Sequence, residues 1–349
     1  MKSLLALIFG ITVSLLLGEA GIRLYLHLAK VKDHRSLTPI FYYAPANSDS
    51  LINYPTKSNV IFKIAAIGDS FTFPHAMQFD DCYSKRLERM LNLNGGGAVV
   101  TNYGVAGYST REEVQLAKKA LSDGAKLIIL QITLNDPEFE HMSRLAMLHP
   151  EKYTFGRFNR NEHPIIKHSR LLTFILKRIH NKKTWDSYIK YHRELFAGKT
   201  WKSFAASVRK IHNLTKKKGA TLVALIFPLF AFPFDAHYPM VDIHEKLHSF
   251  LKKEGIQYLD LLGAFWHMPH ERLTIDPRKD THPNELAHRI AAEHLYLWLE
   301  SNNLIPESLK IKKKFGSRPS RGKLKPVNRD KIEKLLKHDL FNPKHGKKT

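Results

Sequence analysis

The hydrophobic positions between about residue 60 and residue 300 fall into short apolar runs, and segments with helical periodicity separate these runs. Five runs of about six residues are bounded by glycine, proline, aspartate or asparagine, which is typical of buried strands: 61–67, 98–103, 127–132, 221–227 and 256–262. Buried strands that alternate with helices form a parallel sheet covered on both faces. The pattern therefore predicts an α/β fold with a central parallel five-stranded sheet.

Two of the intervening helices carry start signals. Asp80 or Asp81 precedes apolar residues at helical spacing and is the expected N-cap of a helix over 80–93. Thr110 and Glu113 have the spacing of a capping box, which predicts that the next helix begins there. A closing helix is expected after the sequence His282-Pro283.

The amino end has the character of a membrane segment. Residues 4–17 contain no charge and are almost wholly apolar, but fourteen residues span only about 21 Å as a helix, short of the ~30 Å hydrocarbon core. This length is typical of a secretory signal peptide, and Gly18 with Ala20 offers a cleavage site. An uncleaved anchor over residues 4–26 would include Glu19 and Arg23. Both a signal peptide and an anchor predict a cell-envelope protein, either exported to the periplasm or held in the inner membrane.

Charge is concentrated at the other end. The chain has a net charge of +23, and residues 310–349 contain 15 Lys+Arg and 3 Asp+Glu, so they contribute +12. This tail has few large apolar residues, which predicts disorder and attraction to an anionic surface. No nucleic-acid-binding motif accompanies the charge, so we do not expect specific nucleic-acid recognition. The single cysteine, Cys82, excludes an intramolecular disulfide framework.

These patterns suggest four parts of the chain. Residues 1–30 form the signal peptide or membrane anchor, and residues 31–58 are a polar lead-in. Residues 59–300 are the folded domain, with a helical insertion over 137–200. Residues 301–349 form the basic tail.

Candidate reactive residues follow the predicted strands in order. Ser70 follows the first strand, Gly107 the second and Asn135 the third, and Asp280 with His282 comes after the fifth. Carboxyl ends of parallel strands meet at one edge of a sheet, which is where ligands bind in open α/β folds. Each residue alone is a weak signal, but the ordered set of a hydroxyl, an imidazole, a carboxylate and an amide predicts nucleophilic catalysis.

With these blocks, the sequence resembles the SGNH (GDSL-type) hydrolase family over roughly residues 60–300. It carries the first block as Gly68-Asp69-Ser70, the second at Gly107, the third as Asn135-Asp136 and the last as Asp280 with His282-Pro283-Asn284. The segments GDSFTF and NYGVAGYST are similar to those of a bacterial subgroup with an amino-terminal membrane segment. The resemblance implies a three-layer flavodoxin-like fold and hydrolysis of carboxylic esters, O-acetyl and other acyl esters among them.

The chemistry of such a site assigns a role to each residue. His282 would take the proton of the Ser70 hydroxyl, and Asp280 would orient the imidazole. The oxyanion would be stabilised by the backbone N–H groups of Ser70 and Gly107 and by the amide of Asn135. This chemistry requires no organic cofactor and no metal.

The sequence departs from the family pattern at two positions. Lys279 stands three residues before His282, where the family has aspartate, so the acid is either Asp280 or Asp276. Thr133 replaces the glycine of the third block and is expected to alter the packing beneath the oxyanion site.

Three functions remain open at this point. The first is a serine esterase that acts through an acyl-enzyme on an acyl-ester small molecule, lipid or glycan. The second is an O-acyltransferase that uses the same triad on envelope glycans. The third is a non-catalytic protein that binds through the fold and the basic tail.

Overall fold

We describe the protein from a computed structural model, which covers residues 2–31, 59–93, 96–139, 145, 147–154, 158–159, 166–277 and 280–311. Most of the predicted lead-in (31–58) and of the basic tail (301–349) lies outside these residues. The chain divides into two compact units. One comprises Met1–Thr38 and Glu140–Glu194, and the other comprises Pro39–Phe139 and Leu195–Thr349.

The second unit is built on a five-stranded parallel sheet, which confirms the predicted fold class. Its strands are β1 (Phe62–Gly68), β2 (Ala98–Gly104), β3 (Leu127–Ile132), β4 (Thr221–Ile226) and β5 (Gln257–Asp260). Their order in the sheet is β2-β1-β3-β4-β5, which is the flavodoxin-like order. Every residue of β3 is buried, because this strand lies at the centre of the sheet.

Helices flank this sheet, and a short hairpin lies near the carboxyl end of the unit. The helices of this unit are α2 (Tyr83–Leu91), α3 (Thr110–Ser122), α5 (Gly198–Lys217), α6 (Val241–Lys253), α7 (Leu262–Phe265) and α8 (Glu285–Ser301). The hairpin pairs β6 (Thr274–Asp276) with β7 (Asp280–Pro283) in antiparallel register.

Two predicted helix starts are wrong by one or two residues. The N-cap of α2 is Cys82, because Asp80 and Asp81 belong to a separate 3₁₀ turn. The capping box of α3 is Ser109 with Glu112, whose carboxylate accepts a hydrogen bond from the Ser109 N–H at 3.0 Å. Thr110 and Glu113 are instead buried inside the unit.

The first unit contains two long helices, α1 (Lys2–Val31) and α4 (Arg170–Leu195). Leu195, the last residue of α4, belongs to the other unit. Within α1, Ser3–Leu28 has a mean hydropathy of 2.0 over its most apolar window and none of that window is buried, so it is long and apolar enough to cross a membrane. A signal sequence passes the same test. The helix is therefore consistent with either a signal peptide or a membrane anchor.

Candidate active site

Ser70 lies in a tight turn directly after β1. Asp69 builds this turn: its carbonyl accepts hydrogen bonds from the N–H groups of Thr72 and Phe73, and its carboxylate accepts one from the Phe71 N–H at 2.9 Å. Gly68 allows the turn to pack closely, because a Cβ there would lie 2.2 Å from the Gln131 Oε1. The end of β1 and the hydrogen bonds of Asp69 together set the backbone position of Ser70, and so the position from which its side chain projects.

The strands beside β1 bring the other two candidate residues to the same edge of the sheet. Because β1 lies between β2 and β3, Gly107 and Asn135 follow the two strands that flank the Ser70 turn. Gly107 has φ of +82°, a conformation that glycine adopts without strain. The Val105 N–H donates to the Gly68 carbonyl at 3.0 Å and so ties the Gly107 loop to the end of β1.

Asp280 and His282 both lie on β7 of the hairpin. Side chains two residues apart in a strand point to the same face, so the spacing of two brings the carboxylate and the imidazole together. Asn284 directly follows this strand and caps α8, because its side-chain oxygen accepts hydrogen bonds from the N–H groups of Leu286 and Ala287. Its amide also donates to the Thr274 carbonyl at 3.1 Å, which holds the two strands of the hairpin together.

The three side chains form a continuous hydrogen-bonded chain. The Ser70 hydroxyl oxygen lies 2.9 Å from Nε2 of His282, and Nδ1 of His282 lies 2.6 Å from Oδ1 of Asp280. The His282 N–H donates to the same carboxylate oxygen at 3.1 Å. Asp276 lies opposite Asp280 in the hairpin register, and Asp280 is the residue that contacts the imidazole.

His75 is a member of the site that sequence reasoning missed. Its Nε2 lies 3.0 Å from Oδ2 of Asp280, and its ring lies against that of His282 with 4.4 Å between the centroids. Burial acts to raise the pKa of Asp280, but the hydrogen bonds with His282 and His75 outweigh it and hold this pKa well below its ordinary value. The only sequence signal was a histidine five residues after the nucleophile.

The predicted oxyanion donors are available for a ligand. Among the described residues, neither the Ser70 N–H nor the Gly107 N–H has a hydrogen-bond acceptor. Burial raises the pKa of Asp69, and the nearby Asn135 side chain acts in the opposite direction. Thr133, the departure from the family pattern, is buried and accepts a hydrogen bond from Gln131 beneath this loop.

Three carboxyl groups are buried beneath these turns: those of Asp69, Glu113 and Asp136. Within the described part of the chain none of them is in an ion pair. Burial raises the pKa of Glu113 well above its ordinary value, and the neighbouring Asp69 charge adds to this effect. Burial likewise raises the pKa of Asp136, with Glu113 and Asp69 adding to it.

We expect Glu113→Gln to make the free energy of unfolding less dependent on pH. A raised folded-state pKa means that the folded state holds a proton that the unfolded chain releases, so stability is full below the unfolded pKa of about 4.3 and falls as pH rises. Each retained proton changes the free energy of unfolding by about 1.4 kcal/mol per pH unit. Chemical denaturation between pH 5 and pH 8 should show a shallower decline for the variant. Glu293→Gln is the control, because the Glu293 side chain is 53% exposed; equal slopes for Glu113→Gln and wild type would contradict the expectation.

Two groups of described residues bring metal-ligating atoms together. In each group the candidate ligand atoms lie within 4.8 Å of one another. The first group is His75, Asp280 and His282, whose atoms already form the hydrogen bonds of the site. The second group is His244 and His248, both on α6, with Asp260 on β5.

Serine hydrolases use a serine, a histidine and an aspartate in hydrogen-bonded series, and the three side chains described here have this arrangement. The comparison with protein families gives the particular family. Residues 66–290, more than half of the chain, match the model of the GDSL-like lipase/acylhydrolase family. The chain belongs to this family, whose members are ester hydrolases.

Several solved structures are similar to this chain at low sequence identity. A catalytic mutant of the acetylxylan esterase Axe2 from Geobacillus stearothermophilus is 14% identical, with a TM-score of 0.45, and the match covers 74% of this chain and 100% of that one. The psychrotrophic esterase EstA from Pseudoalteromonas sp. is 8% identical, with a TM-score of 0.42 and coverage of 70% and 99%. A search of curated proteins gave no match.

Proposed function

We propose that the chain is a serine esterase that hydrolyses carboxylic esters through an acyl-enzyme. The observation that carries this proposal is the unbroken series from the Ser70 hydroxyl through His282 to Asp280, with separations of 2.9 and 2.6 Å. A serine hydroxyl is a weak nucleophile unless a base removes its proton as it attacks. This series supplies that base and the group that orients it.

The reaction follows from this geometry in two halves. In the first, the Ser70 oxygen attacks the ester carbonyl while Nε2 of His282 takes its proton, and His282 then gives that proton to the leaving alcohol. In the second, water attacks the acyl-serine by the same route and releases the acid. Asp280 stays ionised throughout, because its pKa is held low, and stabilises the imidazolium in both halves.

We expect Asn135→Ala to lower kcat by about 10²–10³ with a smaller effect on KM. The amide would stabilise the oxyanion, which develops only in the transition state, so its loss slows the reaction more than it weakens substrate binding. Steady-state kinetics on a chromogenic ester measures both constants. Asn302→Ala is the matched control, since Asn302 bonds to the Trp298 carbonyl at the end of α8. Wild-type kcat in Asn135→Ala would exclude this side chain from the oxyanion site.

A series of p-nitrophenyl esters with acyl chains from acetyl upward tests the reaction class. Wild-type protein should release p-nitrophenol, and Ser70→Ala should not. Adding a sugar, whose hydroxyl groups can accept the acyl group, separates hydrolysis from transfer. Faster release of p-nitrophenol with acylated sugar as a product indicates an acyltransferase. If the folded protein turned over no ester and transferred no acyl group, the esterase proposal would fail and a binding role would remain.

We further infer that the amino-terminal helix is an uncleaved membrane anchor. The Glu19 carboxylate accepts hydrogen bonds from the Arg170 and Leu171 N–H groups, both at 2.8 Å, and from the Ser169 hydroxyl at 3.0 Å. These are the first N–H groups of α4, which need an acceptor from outside that helix. Cleavage after Ala20 would remove this acceptor. Glu19 also pairs with Arg23 at 2.8 Å, which lowers the cost of both charges in an apolar helix.

An apolar stripe on α4 supports the same inference. Leu172, Ile175 and Ile179 share one face of the helix by their spacing, and each is at least 40% exposed. Exposed apolar faces of this kind are typical of surfaces that meet a membrane. The intact mass of protein extracted from the envelope tests the anchor, because a retained helix gives the full-length mass. A mature protein that begins at Gly21 would overturn the inference.

A further inference from the structure

The second group of histidines and aspartate lies outside the candidate active site and has no part in the proposed reaction. His244 and His248 are four residues apart on α6, which places them on one face of the helix. Asp260 is the last residue of β5, the edge strand of the sheet. Nδ1 of His244 lies 2.7 Å from Oδ2 of Asp260, and Nε2 of His248 lies 2.6 Å from the same oxygen.

We propose that His244, His248 and Asp260 form a binding site for a divalent transition metal ion of the zinc type. Two imidazole nitrogens and one carboxylate oxygen are ligands that Zn²⁺ prefers, and three protein ligands leave a fourth position for water. Ligands about 2.0–2.1 Å from a tetrahedral ion lie about 3.3 Å apart. The two imidazoles therefore need to move away from Asp260 by only a fraction of an ångström.

The surroundings hold each ligand in a geometry that suits a metal. The Leu262 N–H donates to Oδ1 of Asp260 at 2.9 Å, which leaves Oδ2 to face the two imidazoles. The ring of His248 stacks on that of Tyr258, with centroids 4.9 Å apart and planes 18° apart. Outer partners of this kind orient ligands in known metal sites.

His244 also has a partner for its second nitrogen. Its Nε2 lies 3.3 Å from the Tyr238 hydroxyl oxygen, which accepts a hydrogen bond from the Leu229 N–H at 2.9 Å. If Nδ1 binds a metal, the ring carries its proton on Nε2 and donates it to Tyr238.

Accessibility allows an ion to reach the group from solvent. The His244 side chain is 2% exposed and that of Asp260 is 12% exposed, whereas His248 is 35% exposed and forms the open side. A bound ion would join α6 to the edge strand of the sheet. Metal binding should therefore raise the thermal stability of the folded protein.

The test is a Zn²⁺ titration of the full chain in detergent, without a polyhistidine tag, after treatment with a chelator. Competition with a chromophoric chelator measures affinity, and thermal unfolding with and without Zn²⁺ measures stabilisation. We expect one saturable site in wild-type protein and a higher Tm with Zn²⁺. His248→Ala should weaken Zn²⁺ binding at least tenfold and remove the Tm rise.

Two further variants separate metal binding from simple hydrogen bonding. His248→Gln keeps an N–H that can donate to Asp260 but is a poor zinc ligand, so it should fold like wild type without Zn²⁺ and show no Tm rise with it. His237→Ala should bind like wild type, because the His237 side chain is 84% exposed and pairs with Asp235. Absence of saturable binding in wild type would overturn the proposal. So would wild-type affinity in His248→Gln, or loss of the saturable site in His75→Ala instead.

Discussion

Ser70→Ala should lower kcat for ester hydrolysis by about 10⁴–10⁶ while the protein remains folded. In the proposed mechanism the Ser70 oxygen carries the acyl group, and alanine has no atom that can replace it. His282→Ala should cause a loss of similar size, because the hydroxyl 2.9 Å away then keeps its proton. Steady-state kinetics on one chromogenic ester measures both variants.

The double variant Ser70→Ala/His282→Ala tests whether the two residues act in one mechanism. Residues that act as one unit show losses that do not add, so Ser70→Ala/His282→Ala should be about as slow as either single variant. A further large loss in the double variant would contradict a shared mechanism. Tyr108→Ala serves as a control for changes near the Gly107 loop, since its side chain is 37% exposed and is not part of the triad.

Asp280→Asn should lower kcat by about 10³–10⁴, and Asp276→Asn should leave it close to the wild-type value. An asparagine amide can still meet His282, but it neither stabilises the imidazolium nor fixes the required tautomer. Asp276 is the matched control. It lies opposite Asp280 in the hairpin, but Asp280 is the residue whose carboxylate bonds to the His282 imidazole. A large loss in Asp276→Asn with activity retained in Asp280→Asn would reverse the assignment.

Local patterns in the sequence were sufficient to predict the sheet. The run 127–132 is wholly apolar apart from Gln131, and the structure has a strand with the same bounds, Leu127–Ile132. The first residue of a helix was harder to predict, because Ser109/Glu112 and Thr110/Glu113 both have the spacing of a capping box. Burial distinguishes them: the Glu113 side chain is fully buried, whereas Glu112 is partly exposed and its carboxylate bonds to Ser109.

The candidate site could be predicted in part. Ser70, Gly107 and Asn135 follow successive strands, so topology alone indicates that they share one edge. The spacing of two between Asp280 and His282 was ambiguous, because it brings side chains together only if the segment is extended. The hairpin supplies that conformation, yet its three- and four-residue strands are too short to be seen in a hydrophobic pattern.

Contacts between distant segments outside the family blocks could not be predicted. His75 meets Asp280 across 205 positions of sequence, and Asp260 meets His248 from a different element. Such pairs depend on how loops and helices pack, and the hydrophobic periodicity of a single segment contains no information about that packing. The four-residue spacing of His244 and His248 is present in the sequence, but it indicates a site only once Asp260 is seen to face both side chains.

Labelling of the full-length protein with a fluorophosphonate probe tests the central claim most directly, because the probe reacts with an activated serine whatever the natural substrate. Peptide mass spectrometry should locate the adduct at Ser70, and His282→Ala should abolish it while leaving the fold intact. Labelling of a different serine, or labelling at Ser70 that persists unchanged in His282→Ala, would contradict the account.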